Sequence, residues 1–402
     1  MNANLALFVQ YNAAEMITSS FAFFTVLLAI AGGLKFIEFK STSKFFNILP
    51  AIVILYFLVM LLSTLGVWQK THEINEAYSS LKSNILPAMI FLMLLKADLR
   101  QIKKLGGKII LAFFSASFSI GCAFIIAFML FLPLLEPTSW KTFAALSGSW
   151  MGGTGNMAAV QLALDVPDSQ MGYTLIIDSI DYALWVMLLL ALVPHAKVFD
   201  RWIGTNSDKL DTVANSLAKD SKSENTGDLT VNLLTLLALA LVVSVFTQYV
   251  ASILPVSTFF STTTWTVLIV TLLGTLAAMT PLSKMQGSEA ISNIMLYLII
   301  ALIASRANFN ELTQAPLYIA IGIVILLIHG ALMVMLAKLF KFDLFTCGIA
   351  SLANIGGVAS APILAAAYSR ALIPVGVLMA LLGYIVGTAG GLFVGKVLSL
   401  LV

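Results

Sequence analysis

The sequence predicts an all-α polytopic membrane protein, with about ten transmembrane helices plus two glycine-rich broken helices in two inverted repeats. Three observations carry this prediction. First, 60% of the 402 residues are hydrophobic and only 10% charged, where a soluble domain carries about 25% charged residues. Second, long apolar runs recur along the chain. Third, two small-residue polar stretches, SGSWMGGTGNMAAVQ (147–161) and SLANIGGVASAPIL (351–364), interrupt that apolar text once in each half.

The apolar runs fall at roughly 16–37, 46–66, 84–99, 107–135, 170–194, 230–254, 262–282, 288–304, 314–339 and 371–396. A span needs about 20 apolar residues, so these are ten candidate spans, the run at 84–99 being short. No basic segment precedes the first run, whereas Lys35 stands at its end and Lys40 and Lys44 follow it. That pattern predicts an outside N-terminus and a retained first helix rather than a signal peptide. Residues 67–83 read as an outside loop with a short surface helix. The polar stretch 197–229 reads as a cytoplasmic linker, partly disordered, between a first repeat (1–196) and a second (230–402). The chain is placed in the cell membrane as a multi-pass protein among lipid.

The net charge is +3, with the basic residues in short loops. This is a membrane-topology pattern and gives no face for nucleic acid. Cys122 and Cys347 lie in apolar runs and read as buried free thiols; they make no metal or disulfide framework.

Loop charges argue for inversion. The loop 96–108 holds Lys96, Arg100, Lys103, Lys104 and Lys108 against Asp98, while its counterpart near 305–312 has Arg306 and Glu311. The next connection has Glu136 and Lys141, and its counterpart has Lys338, Lys341 and Asp343. The basic bias therefore swaps between halves. Inversion needs an odd number of crossings between equivalent helices, which holds if each glycine stretch enters and leaves by one side as a hairpin. Half-helices of about 12 residues, about 18 Å long, would pass the midplane of the bilayer. Were the stretches to cross instead, the repeats would be parallel.

The glycine stretches are the candidate site. Gly152-Gly153 and Gly356-Gly357 are separated by one step of 204 residues, as are Gly172 and Gly376. Non-helical backbone at membrane depth is tolerated only where it is buried in protein or lines a wet cavity. There, half-helix N-termini present N–H groups to an anion and unwound carbonyls hold a cation. The first tip is predicted as Gly152-Gly153-Thr154-Gly155 with Asn156 as N-cap. The second is predicted as Gly356-Gly357, with Ser360 as cap and Pro362 in the first turn. Ser149, Thr154, Gly155, Asn156, Asn354, Gly356, Gly357 and Ser360 are assigned to solute binding. The glycines at 383, 387, 390 and 391 read as helix packing.

In the helix after the first stretch, Asp178 and Asp181 share one face. Membrane-centre carboxylates are functional candidates by default. Two close acids share a proton or hold a cation, so Asp178 and Asp181, with Gly152 and Gly153, form the expected cation site. The 204-residue step sets Leu382 and Ile385 opposite the acids, which makes the site lopsided. His329 reads as a hydrogen-bonded packing residue, Glu15 as interfacial and Arg370 as either a membrane anchor or a partner for a substrate carboxylate. Asn84, Asn293 and Asn308 read as helix-end or scaffold contacts.

The stretches SGSWMGGTGNMAAVQ and ASLANIGGVASAPILAAA, with IIDSIDY between them, resemble those of the uncharacterised bacterial and plant membrane family called domain of unknown function 819. More distantly, the paired glycine vertices look like those of the sodium–glutamate and sodium–citrate symporters. That resemblance implies inverted repeats, one re-entrant hairpin per half, a homodimer and an elevator motion. It covers Gly152, Gly153, Gly155, Gly356 and Gly357, and departs at Ala359, which stands where the first vertex has Gly155.

The expectation is a cation-coupled secondary transporter, using Na⁺ or H⁺, for a small organic solute of anionic character, with no other cofactor and no enzymatic activity. A cation/proton antiporter is the nearest alternative. An intramembrane hydrolase is disfavoured because both acids sit on one helix, whereas an acid–base pair brackets its substrate from two elements. A channel does not need the duplicated element.

Overall fold

The computed structural model describes residues 17–41, 46, 50–205, 228–257, 259–309, 312–369 and 372–402. Glu15, Lys44, Glu311, Arg370 and residues 206–227 of the expected linker lie outside the described residues.

The first half contains α1 (Ser20–Lys40), α2 (Ala51–Thr64), α3 (His72–Leu94), α4 (Gly107–Phe131), α5 (Ser139–Gly152), α6 (Thr154–Leu164), α7 (Met171–Leu192) and the short α8 (Ala196–Ile203). The second contains α9 (Leu229–Ser252), α10 (Thr262–Ala277), α11 (Ser288–Ala304), α12 (Ala315–Phe340), α13 (Leu344–Ile355), α14 (Gly357–Tyr368) and α15 (Ile373–Leu398). Side-chain caps set several starts. Thr71 accepts from the Ile74 amide, Asp228 from Thr230 and Val231, Ser261 from Thr264, and Asp343 from Thr346, each satisfying an N–H that the first helical turn leaves open.

The protein is an all-α, multi-pass membrane protein. Six helices among the described residues are long and apolar enough to cross a membrane: Ser20–Lys40, Gly107–Leu134, Asp168–Ile203, Leu229–Ser252, Ala315–Phe340 and Ile373–Leu398. Ala51–Thr64, Thr262–Ala277 and Ser288–Ala304 are apolar but shorter. The run at 84–99 proves to be the second half of the 23-residue α3. Most of the expected outside loop 67–83 is therefore helix, started by the Thr71 cap with Glu73 in the favoured first turn. Residues 197–203 of the expected linker are likewise helical, within α8.

Each glycine stretch is a helix folded back on itself. In the first, Lys141 Nζ at the start of α5 donates to the Asp165 carbonyl just past α6, at 3.1 Å. Midway, a methyl on Gly148 would stand 2.9 Å from Val160 Cγ2. In the second, the Phe345 and Tyr368 rings meet edge-on at 5.1 Å, and a methyl on Gly348 would lie 3.3 Å from Leu364. The chain reverses at Gly153 (φ +88°) and Gly357 (φ +58°), conformations open chiefly to glycine.

The hairpins enter from opposite ends. Ser139, at the base of the first, hydrogen-bonds to Tyr318 near the start of α12 (2.7 Å), and Tyr173 near the start of α7 stacks on the same ring (4.3 Å). The base of the second follows directly on the far end of α12. With 26 residues, α12 is about 39 Å long. That far end is basic: Lys341 Nζ donates to the Ile203 carbonyl (2.8 Å), Asp200 accepts from the Leu344 amide (2.8 Å), and Lys108 reaches Thr205 (3.5 Å).

Two apolar cores result. One gathers α1, α2, α3, α9, α10 and α11 around Leu27, Tyr56, Phe91, Leu236, Val267 and Ile299. The other gathers α4, α5, α7, α12, α15 and the second hairpin around Phe124, Trp150, Ile177, Ile325, Ile349 and Met379, while α6 of the first hairpin packs Met157, Val160 and Leu164 into the first core. Glycine seams let α15 lie against α5: a methyl on Gly387 would stand 2.7 Å from Gly152 Cα, and one on Gly391 2.8 Å from Gly148 Cα. Such small-residue contacts replace the hydrophobic driving force that lipid removes.

Candidate functional site

Both hairpin tips end in one cavity of about 420 Å³, set between the two cores. The first tip contributes Ser149, Gly153, Thr154 and Gly155, the second Gly356 and Gly357, and α7 contributes Asp178. These seven sequence-predicted residues are brought together. The first helical turns of α6 and α14 begin there without a side-chain cap at Gly153 or Gly356, so their leading N–H groups remain to be satisfied from the cavity.

Asp178 is oriented by the first hairpin. Its Oδ1 accepts from Ser149 Oγ at 2.9 Å and from Trp150 Nε1 at 3.1 Å. The edge-on Phe124 ring, 5.5 Å from that indole, fixes the donor in turn.

The remaining predicted residues sit behind the cavity wall. The first tip is narrower than the expected 152–155, because only Gly153 leaves the helix. Gly152 is still helical and packed so tightly that a methyl on it would lie 2.3 Å from the Gly383 carbonyl. Asn156 is inside α6 rather than at its N-cap. Its Nδ2 donates to the Gly152 carbonyl (2.7 Å) and its Oδ1 accepts from Thr388 Oγ1 (2.6 Å). Asn354 plays the matching part in the second hairpin, accepting from Ser117 Oγ (2.7 Å) and donating to the Ala350 carbonyl (2.9 Å). Ser360 is buried within α14 rather than capping it, beside Gly356 and Tyr182. Pro362 is the sixth residue of that helix and not in its first turn.

Asp181 does not join Asp178 at the cavity. It is fully buried, neither of its carboxyl oxygens has a hydrogen-bond partner among the described residues, and it faces Gly322 of α12. A methyl there would lie 1.8 Å from Oδ2. A step of three residues turns the helix by about 60° from its starting direction, enough to divide the two acids between cavity and core. His329 bridges Ser119 and Ser351, each at 2.7 Å, and Trp185 Nε1 donates to the same Ser351 (2.8 Å). This is a buried network consistent with a packing histidine. Asn84 ties α3 to α9, accepting from Ser244 Oγ at 2.7 Å and from Gln248 Nε2 at 3.1 Å.

Sequence reasoning missed the opposite wall. Met89 and Met93 of α3, Lys96 just past it, and Glu289, Ser292 and Tyr297 of α11 line it, as does Asn293, read only as a helix-end or scaffold contact. The signal was present: the step of 204 residues that relates the tips also relates Met89 to Asn293 and Met93 to Tyr297, all four on this wall. Among the described residues no group of three or more His, Cys, Asp or Glu side chains is placed to hold a metal.

Residues 25–401 match the family described as protein of unknown function (DUF819). The chain belongs to that family. It is also similar to the uncharacterized membrane protein YjcL of Bacillus subtilis (strain 168), at 26% identity over 341 residues that cover 80% of this chain and 84% of YjcL. The family match spans both hairpins and Asp178 and both cavity walls, so the whole site lies within it.

Proposed function

We propose that this DUF819 protein is a cation-coupled secondary active transporter of a small organic anion, working by alternating access. The observation that carries this reading is convergence: two helical hairpins from opposite ends deliver their tips, and Asp178, to one cavity between two apolar cores. In this reading the solute lies against the N-termini of α6 and α14, whose partial positive charge suits a carboxylate. Asp178 Oδ2 and carbonyls of the first tip take Na⁺ or, alternatively, Asp178 takes H⁺. Ser149 and Trp150 hold Oδ1 and so fix the carboxylate for that task.

Residues 1–196 and 230–402 are the two repeats of this proposal, joined by 197–229. Three features support inversion: opposite hairpin entry, the positive φ at Gly153 and Gly357, and the 204-residue step across tips and walls. Ten helices would then cross, with α4, α7, α12, α15 and the hairpins moving as an elevator against α1–α3 and α9–α11. The last group includes the face for a homodimer.

A thermal-shift screen of the purified protein against organic anions, amino acids and small peptides, with and without Na⁺, tests the reading. Stabilisation by an anion that grows with Na⁺ or with falling pH supports it. A cation/proton antiporter would show the ion effect with no solute, and no solute would protect a tip residue from thiol labelling.

A further inference from the structure

The cavity runs to Lys96, Glu289 and Pro50 at the basic end of the molecule. Lys96 Nζ donates there to the carbonyls of Ser283 and Met285, each at 3.3 Å. By the bias of basic residues this end is cytoplasmic. At the other end, Asp168, in the short turn between α6 and α7, ties the two sets of helices together, alongside the Ala163 carbonyl of α6, which accepts from Thr264 Oγ1 (2.7 Å) and Ser261 Oγ (3.3 Å) at the start of α10.

Asp168 Oδ1 accepts from Lys82 Nζ and from Gln161 Nε2, both at 2.8 Å, and Oδ2 accepts from the Tyr78 hydroxyl. Its backbone carbonyl accepts from the Tyr56 hydroxyl at 3.1 Å. Gln161 belongs to the hairpin itself, but Tyr56, Tyr78 and Lys82 stand on α2 and α3, in the other core. Arg306, just past α11, lies over the Tyr78 ring at 4.4 Å and donates to Asn75 and the Ile74 carbonyl, bracing the phenol from behind. The Lys82 and Asp168 side chains are only 15% and 17% exposed, so their attraction is less screened than that of a surface pair.

We propose that Asp168 is an external latch, which keeps the outward route closed while the cavity faces the cytoplasm. This inference rests on the proposal that the hairpins move against α2 and α3. For the cavity to open outward, the turn holding Asp168 must leave α3, and the bonds to Tyr78, Lys82 and Tyr56 break together. Water replaces them, so the latch biases the equilibrium without locking it. Loss of the carboxylate shifts the population toward the outward-facing form, by on the order of ten-fold for one charge-assisted hydrogen bond.

The test uses Thr154→Cys on the cavity wall, in a Cys122→Ala, Cys347→Ala background, in vesicles of known orientation. A membrane-impermeant maleimide is applied from either face. The expected parent reacts fast from the cytoplasmic face and slowly from outside. Asp168→Ala and Asp168→Asn then react several-fold faster from outside and more slowly from within. Unchanged rates at both faces in both variants, with the parent reacting as expected, would overturn the latch alone. A parent thiol that reacts from neither face would overturn the transport cavity, and the latch with it. Cytoplasmic labelling that is slower than the parent's yet still measurable shows that the variants are folded, since unfolding would expose the thiol and speed it.

Discussion

Gly153 and Gly357, one step of 204 residues apart, are the two points at which the hairpins turn back, and both line the same cavity. Their backbones are not equivalent. Gly357 has φ +58°, where L side chains are strained, whereas Gly153 has φ +88° with ψ 173°, a region nearly closed to other residues. Neither position is crowded: a methyl on Gly153 meets only Tyr384, at 3.9 Å, and one on Gly357 meets nothing within 4 Å. Strain alone therefore sets the cost. Gly357→Ala is expected to cost about 1–2 kcal/mol and Gly153→Ala as much or more, up to about 3 kcal/mol. Thermal unfolding midpoints of the purified variants check the order.

The seam between α15 and the first hairpin predicts the opposite cause, crowding without strain. A methyl on Gly387 would sit 2.7 Å from Gly152 Cα and 2.9 Å from its amide nitrogen, and backbone atoms cannot step aside as a side chain would. Gly387→Ala should lower stability by about 1–3 kcal/mol. Gly33 of α1, around which a methyl meets nothing within 4 Å, should accept alanine with no loss.

Asn156 and Asn354 are expected to be structural, contrary to their reading from sequence. Asn354 holds α13 against α4 through Ser117 and the Phe113 carbonyl, the latter at 3.3 Å. Asn354→Ala should destabilise by about 1–3 kcal/mol, leaving buried partners unsatisfied, with the apparent affinity for solute unchanged in the protein that remains folded. Thr154→Ala, on the cavity wall, should do the reverse. Uptake measured against solute concentration separates the two.

Ser149 and Trp150 should act on the ion through Asp178. As outer-shell partners of a cation ligand, their loss is expected to weaken apparent cation affinity about 10–100-fold in Ser149→Ala and Trp150→Phe, with the maximal rate less affected. Dependence of uptake on cation concentration reads this directly.

The fold was legible where the physics is local. Apolar run length marked the helices, and the doubled glycines marked both turns, because few other residues tolerate those backbone angles. The polar first turns of α3 read as an outside loop with a short surface helix of its own, not as the start of one long helix, since a helix that projects beyond the apolar layer has no hydrophobic signature there. The paired acids misled for a different reason. Spacing put Asp178 and Asp181 on one face, but which of them meets the cavity depends on Gly322 of α12, a residue 141 positions further on that no local pattern connects to them. Met89, Met93 and Tyr297 were passed over because cavity-lining and core-filling apolar residues look alike in a sequence.

The most direct test of a cation-coupled cavity built on Asp178 is accumulation of organic anions by proteoliposomes under an imposed sodium or proton gradient, in wild type, Asp178→Asn and Asp181→Asn. The predicted result is gradient-driven uptake by wild type, its loss in Asp178→Asn, and uptake retained in those Asp181→Asn molecules that fold. Uptake by Asp178→Asn at the wild-type rate and with wild-type dependence on the gradient would contradict the account.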